Sequence, residues 1–362
     1  MNNNYCVIMA GGTGTRFWPL STQKKPKQFL DILNTGSSLL QLTFERFKHI
    51  CPVENIYVVT NEIYGDIVRE QLPELSENQI LLEPDKKNTA PCIAYANYKI
   101  ELINPEANIV VTPSDHLILK EKEFIDVIKN GLEFSQHNDA LLTLGINPNR
   151  PETGYGYIQI DREKKANDNS NIYKVKTFTE KPNLELARKF YESGEYYWNS
   201  GVFIWSLRSI KKAFKSFLPD IDNLFEKGMD KYNTEKEKDF INQVYFQSNS
   251  ISIDYGVMEK ADNVYVYTSD FGWADLGTWG SLQEFLDKDE QGNSVTGENI
   301  FIYNVKDSII NISNEKMAVI KGLEDYIVVD SENKLLIYKK EDEQEIKQVV
   351  ESIKKEKGSD FI

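Results

Sequence analysis

The chain has 362 residues, of which 40% are hydrophobic and 12% aromatic, and its formal net charge is −14. This length and apolar content fit two domains, or one large α/β domain with a small appendage, and exclude a disordered chain. The acidic balance argues against a nucleic-acid duplex or an anionic membrane as partner, so a polyanionic ligand must be held by a local cluster of Lys and Arg with a divalent cation offsetting the rest.

Residues 5–10 (YCVIMA) read as a strand that runs into Gly11, Gly12, Thr13, Gly14, Thr15 and Arg16, followed by Pro19-Leu20-Ser21 and Pro26-Lys27-Gln28-Phe29. Glycines let backbone N–H groups come close to a phosphate, and strand-end loops of this kind form anion-binding concavities. Arg16 and Lys27 add full charges to those partial ones. The loop lacks the G-x-x-x-x-G-K-[ST] spacing, and Phe17 stands where a dinucleotide fingerprint needs its third glycine. It reads as a nucleoside-triphosphate cradle; the plain alternative is a tight turn.

Ser37 and Ser38 are positioned to cap a helix that continues to residue 50. Strands follow at 55–60, 80–83, 108–113 and 140–145, separated by helices at 63–72, 89–103 (Pro91 in its first turn) and 123–137. This alternation predicts an α/β fold with a mostly parallel sheet and helices on both faces. Residues 155–160, 173–179 and 202–205 are β-like, with a loop over 163–171, and predict a mixed region beside the parallel core. The span 208–247 reads as helical, 264–268 as a strand and 276–286 as a helix. Beyond about 290 come short strand-like pieces (299–303, 308–312, 317–320, 326–329, 335–338) and one charged helix, 341–357. The expected division is therefore 1–290 and 291–362, the second part a small β domain with a terminal helix.

Cys6, Cys51 and Cys92 are odd in number, widely spaced and without CxxC, which predicts reduced, buried thiols in a cytoplasmic protein. The three histidines show no zinc spacing. No apolar run reaches membrane-spanning length, and the first strand has no basic segment before it, so it does not read as a signal peptide.

Polar clusters sit at expected strand ends, where open α/β sheets bind ligands. Glu83 to Pro91 (EPDKKNTAP) joins a strand to a helix N-terminus and offers N–H groups and small side chains to a base or ribose; otherwise it is a capped connection. Asp115, in Pro113-Ser114-Asp115-His116, is a hard oxygen ligand for Mg²⁺ or a cap of the next segment. Asp275, in Trp273-Ala274-Asp275-Leu276-Gly277, is the second such aspartate, and taken alone reads as an N-cap. Gly154-Tyr155-Gly156-Tyr157 lets a ligand approach backbone. Glu180-Lys181-Pro182 and Trp198-Asn199-Ser200-Gly201 supply a carboxylate, an ammonium and an amide, suited to vicinal hydroxyls and a phosphate; a solvated turn is the alternative for Glu180-Lys181.

Together these motifs resemble the sugar-1-phosphate nucleotidylyltransferases, and most closely their mannose-1-phosphate guanylyltransferase (GDP-mannose pyrophosphorylase) branch in its short bacterial form. The matching stretches are MAGGTGTRFWPLS with PKQFL, EPDKKNTAPCIA, TPSDH, TGYGYI, FTEKP, WNSGVFIW, SIDYGVMEK and WADLGTW, in family order from residue 7 to about 280. EPDKKNTAP, PSDH and SIDYGVMEK point to the mannose and GTP branch. The resemblance implies a Rossmann-like, GT-A-like catalytic domain and a tail similar to a small left-handed β-helix. It implies that Gly11, Gly12, Thr13, Gly14, Thr15, Arg16 and Lys27 hold a triphosphate, and that Glu83, Asn88, Thr89 and Ala90 lie around guanine and ribose. It further implies Mg²⁺ on Asp115 and Asp275, mannose against Gly156, Glu180, Asn199 and Asp254, and its phosphate on Lys181. Arg16, Lys27, Asp115 and Asp275 are then the catalytic set. The implied reaction passes GMP from GTP to mannose 1-phosphate and releases pyrophosphate. Longer relatives carry a phosphomannose isomerase cupin domain; with too few histidines here for that metal site, isomerase activity is not expected. Rival readings are a sister enzyme for another base or sugar, and a non-catalytic nucleotide-sugar sensor, which would be expected to lose a loop cation or a metal aspartate. The β tail and terminal helix are the segments on which a homodimer contact would be built.

Overall fold

The computed structural model describes residues 3–12, 14–166, 171–359 and 361–362. The expectations on Thr13, and on the loop residues 167–170, lie outside them, and of Thr15 only the backbone is described. The chain forms two compact units, each discontinuous in sequence. The first comprises Met1–Gly11, Gln41–Ser114 and Ile118–Trp273; the second comprises Gly12–Leu40, Asp115–Leu117 and Ala274–Ile362.

The first unit is built on a nine-stranded mixed sheet. Its order is Ile80–Glu83, Ile56–Asn61, Asn4–Met9, Asn108–Pro113, Tyr196–Ser206, Leu141–Ile146, Val264–Thr268, Ile172–Thr179 and Tyr157–Lys165. The first four are parallel, and they are short apolar runs because both faces are covered. The expected mixed region lies beside this parallel group and shares its sheet. Strand Tyr196–Ser206, eleven residues long, runs antiparallel between Asn108–Pro113 and Leu141–Ile146 and also pairs with Tyr157–Lys165. Helix Thr89–Glu101 is buried from Ala90 to Ile100, as expected of a helix covered on all sides; it packs against the sheet and against helices Leu207–Phe217 and Pro219–Glu226. The single helical span expected over 208–247 divides at Pro219, which opens a new helix, and at the turn before Glu237–Gln247.

The second unit carries the C-terminal coil. Ser294–Thr296, Ile309–Asn311 and Tyr326–Ser331 pair in parallel, Ile300–Tyr303 pairs in parallel with Ala318–Lys321, and Lys306 bridges Glu324. Successive turns of chain thus stack on one another around Val305, Ile310, Ile312 and Val328, a β-helix-like arrangement. Lys334–Lys339 closes the stack antiparallel. Helix Ile346–Lys357 ends the unit, preceded by a 3₁₀ segment where a continuous helix from 341 was expected.

The glycine-rich loop belongs to this same unit from Gly12 onward. The Trp18 indole N–H donates to the Phe361 carbonyl at 2.8 Å, the Phe17 ring lies 5.1 Å from that of Trp279, and helix Ile346–Lys357 packs on the turn Thr15–Phe17. Cys6, Cys51 and Cys92 are buried and unbridged, as the sequence predicts. Among the described residues no helix is long and apolar enough to cross a membrane.

Candidate active site

Within the second unit, a cavity of about 320 Å³ is lined by Gly14, Arg16, Phe17, Lys27, Asp115, His116, Asp275, Leu276, Gly277 and Lys347. Three segments far apart in sequence meet at one buried ammonium. Lys27 Nζ donates to the Asp115 carboxylate (2.8 Å), the Asp275 carbonyl (2.7 Å) and the Leu276 carbonyl (3.0 Å). An ammonium has three protons, so Lys27 is saturated by protein acceptors. Arg16 is exposed and forms no hydrogen bond or ion pair with another described residue. The two loop cations expected to share one role therefore differ: Arg16 is free for a phosphate, whereas Lys27 fastens the loop to both aspartate segments.

Burial pushes the Asp115 carboxyl up, but the Lys27 charge, His116 and the Lys27 hydrogen bond outweigh it and hold the group below the ordinary aspartate value. Asp115 is thus kept as a carboxylate. Asp275 is not the N-cap of the next helix. Its Oδ1 accepts the Gly277 N–H at 3.0 Å, Leu276 is held at φ +47°, and the helix is capped by Thr278 and runs only Trp279–Gln283. A left-handed φ at a non-glycine residue lining a cavity is a strained conformation of the kind found at ligand sites; it turns the Leu276 carbonyl toward Lys27.

Gly14 has φ +55°, and a Cβ there would lie 2.6 Å from Lys27 Cβ and 3.0 Å from its backbone nitrogen. Gly14→Ala should destabilise the protein by about 1–2 kcal/mol from the left-handed conformation alone and lower turnover by displacing Lys27. Thermal melts and steady-state kinetics check this; a variant with unchanged Tm and kcat would show that the loop tolerates side chains.

In the first unit, Gly156, Glu180, Lys181, Asn199 and Asp254 are brought together. Asn199 Nδ2 donates to Asp254 Oδ1 at 2.9 Å, and Asn199 Oδ1 accepts from Thr143 at 2.8 Å. The Asn199 N–H donates to the Gly156 carbonyl at 2.8 Å. A Cβ on Gly156 would lie 2.5 Å from Glu180 Oε2, an oxygen that is buried without a hydrogen-bond partner among the described residues. The other Glu180 oxygen pairs with Lys181 Nζ at 3.1 Å, and that lysine is more than half exposed. Burial and the Glu180 charge push the Asp254 carboxyl up to about 7. Two carboxylates, an amide and a bare backbone face form a polar, hydroxyl-accepting cluster, and a buried acceptor without a donor marks where a ligand O–H fits.

The stretch expected to meet a base or ribose lies in the same unit. Glu83 ends its strand, is buried, and accepts from the Tyr245 hydroxyl at 2.8 Å; burial raises its carboxyl to about 7 despite that bond and Lys86. Asn88 caps helix Thr89–Glu101 at φ +68°. Thr89 Oγ1 accepts from the Ile253 N–H at 2.8 Å, and the Ala90 N–H donates to the Ile251 carbonyl at 3.1 Å. Thr89 and Ala90 thereby hold the segment that leads to Asp254.

Sequence reading missed Lys347, Tyr245 and Thr143. No motif separates Lys347 from the other lysines of a charged helix; Tyr245 and Thr143 belong to unremarkable apolar stretches. Among the described residues no three His, Cys, Asp or Glu side chains group to hold a metal unaided.

The nucleotidyl transferase family profile matches residues 5–292, and a mannose-phosphate isomerase/GMP-like β-helix domain profile matches 297–353. A mannose-1-phosphate guanylyltransferase of Escherichia coli is 37% identical over 354 residues, covering 96% of this chain and 75% of the relative. One of Salmonella montevideo is 37% identical over 361 residues, covering 98% and 75%. A crystal structure from Thermus thermophilus, described as a mannose-1-phosphate geranyltransferase, superposes with a TM-score of 0.85 at 28% identity over 97% of this chain and 99% of that one. With the two profiles matching in succession and 37% identity to these enzymes over nearly all of its length, the chain belongs to the nucleotidyl transferase family, among the mannose-1-phosphate guanylyltransferases.

Proposed function

We propose that this enzyme transfers GMP from GTP to α-D-mannose 1-phosphate in the cytoplasm, giving GDP-mannose and pyrophosphate. The 1-phosphate oxygen attacks the α-phosphorus of GTP in line; the new P–O bond forms as the bond to the β-phosphate oxygen breaks, and pyrophosphate leaves with that electron pair. The nucleophile is already an anion, so no general base is required. The difficulty is bringing two polyanions together, which calls for positioning and preorganised positive charge.

Arg16 meets the polyphosphate, with Gly14 keeping the backbone bare beside it. Lys27 keeps Asp115 ionised and fixes its place. Asp115 and Asp275 suit Mg²⁺, a hard cation commonly held by one or two carboxylates and completed by phosphate oxygens; the absence of a third acidic ligand among the described residues fits a site completed by substrate. When bound, the ion neutralises charge on the transferring phosphate. Glu180, Asn199 and Asp254 accept and donate to mannose hydroxyls, Gly156 leaves room for the ring, and Lys181 supplies charge for the sugar phosphate. Glu83 lies on the nucleotide side with Asn88, Thr89 and Ala90, the last two positioning the 251–254 segment.

The observation that supports the reading most is the Lys27 ammonium, bonded at once to Asp115 and to the backbone of Asp275. The test is pyrophosphate release with four nucleoside triphosphates and several sugar 1-phosphates. Release should be greatest with GTP and mannose 1-phosphate and should require Mg²⁺. A preference for another base or sugar would reassign the substrate; no release from any pair would overturn the reading.

A further inference from the structure

We propose that Lys347, on the C-terminal helix, is the second free cation of the polyphosphate pocket and binds the β- and γ-phosphates that leave as pyrophosphate. The inference rests on the nucleotidyl-transfer reading of that pocket. It starts from Lys27, whose three protons are all engaged by Asp115, Asp275 and Leu276. A phosphate contact from Lys27 would have to break one of these bonds, so the cavity needs another donor beside Arg16.

Lys347 lines the same cavity. It is exposed and forms no hydrogen bond or ion pair with another described residue. Its place is set by the fold: Ile346 and Val350 of the same helix are buried, the helix packs on Thr15–Phe17, and the chain end is tied back through Trp18 and Phe361. In the preceding segment, Glu343 accepts the Gly280 N–H at 2.8 Å and Glu345 accepts the Tyr338 hydroxyl at 3.1 Å.

Charge decides the matter. The lining holds Arg16, Lys27 and Lys347 against Asp115 and Asp275. These five groups together are net positive by one, and without Lys347 they balance. In a protein of net charge −14, a neutral cavity has no attraction for a pyrophosphate anion. With Lys27 committed to Asp115, Lys347 and Arg16 are the charges that tip this balance toward an anion.

The experiment measures equilibrium binding of inorganic pyrophosphate and of GTP to the full chain and to Lys347→Ala, Lys347→Gln, Lys347→Arg, Arg16→Ala and, as a control on the same helix, Lys355→Ala. Loss of one charged contact should weaken both ligands about 10-fold or more in Lys347→Ala and Lys347→Gln, with a shallower salt dependence. Lys347→Arg should restore most of the affinity, Lys355→Ala should change nothing, and KM for mannose 1-phosphate should stay put. If Arg16→Ala weakens binding and the folded Lys347 variants do not, the inference fails and the pocket reading stands. If Arg16→Ala also leaves binding intact, the pocket reading fails with it.

Discussion

Lys27→Met should lower turnover by about 10²-fold or more, comparable to loss of a preorganised electrostatic donor, and should also lower the Tm. A lysine that only touched phosphate would affect the first quantity and not the second. Here the ammonium is 5% exposed and satisfies one carboxylate and two carbonyls. Removing it takes the ion pair from Asp115 and one donor from each of two carbonyls, a cost of about 1–3 kcal/mol after allowing for the partial exposure of Asp115. Lys27→Arg should not restore activity. A planar guanidinium spreads its N–H groups, whereas these three acceptors converge on a single nitrogen. Melting curves, kcat and a Mg²⁺ titration check the claim. Near wild-type turnover in Lys27→Met would remove Lys27 from the mechanism, and lost turnover with an unchanged Tm would return it to a simple phosphate contact.

Much of the fold was legible because period and punctuation agree in the parallel half: strands 56–61, 80–83 and 108–113 each hold a short apolar run (IYVV, ILL, IVV) and are followed by a polar cluster and a helical pattern. The central strand Tyr196–Ser206 was read only at its apolar end. Its first half carries Asn199, Ser200 and Gly201, polar or flexible residues that single-sequence propensity assigns to loops, and pairing with Gly145, Ile146 and Tyr157 supplies what propensity does not. The expected helix from 276 failed for a different reason. Leu276 at φ +47° cannot continue a helix, and nothing in the leucine side chain announces that conformation. Short polar motifs marked segments that the fold brings together, since Asp115 and Asp275 stand beside one ammonium. They did not show that this ammonium is fully bonded within the protein, because that depends on two carbonyls, which every residue possesses. Nor did they find Lys347, which reaches the cavity through the packing of a helix whose own pattern is only amphipathic and charged.

Mannose 1-phosphate should bind more tightly as pH rises through about 7, and Asp254→Asn should lose that rise. Burial and the Glu180 carboxylate push Asp254 up to about 7, from an ordinary value near 3.8. An unfolded chain releases this proton near pH 4 and the folded one near pH 7. Between those limits the native state holds more protons, so this group makes stability fall as pH rises; the penalty is absent below about 4 and complete above about 7. Binding runs the other way. The ionised carboxylate accepts sugar hydroxyls more strongly than the acid does, so affinity gains where stability loses. The sugar phosphate and Glu83, also raised to about 7, titrate in the same range, which makes the difference between wild type and Asp254→Asn the informative quantity. Between pH 6 and 8 that difference should show a gain of roughly 10-fold in affinity for wild type and a flatter Tm-against-pH curve for the variant. Parallel affinity profiles in the two proteins would mean that Asp254 does not face the sugar. Parallel Tm profiles would mean that its proton is not held as the Glu180 contact requires, and the hydroxyl-binding role of this cluster would then rest on Asn199 and Glu180 alone.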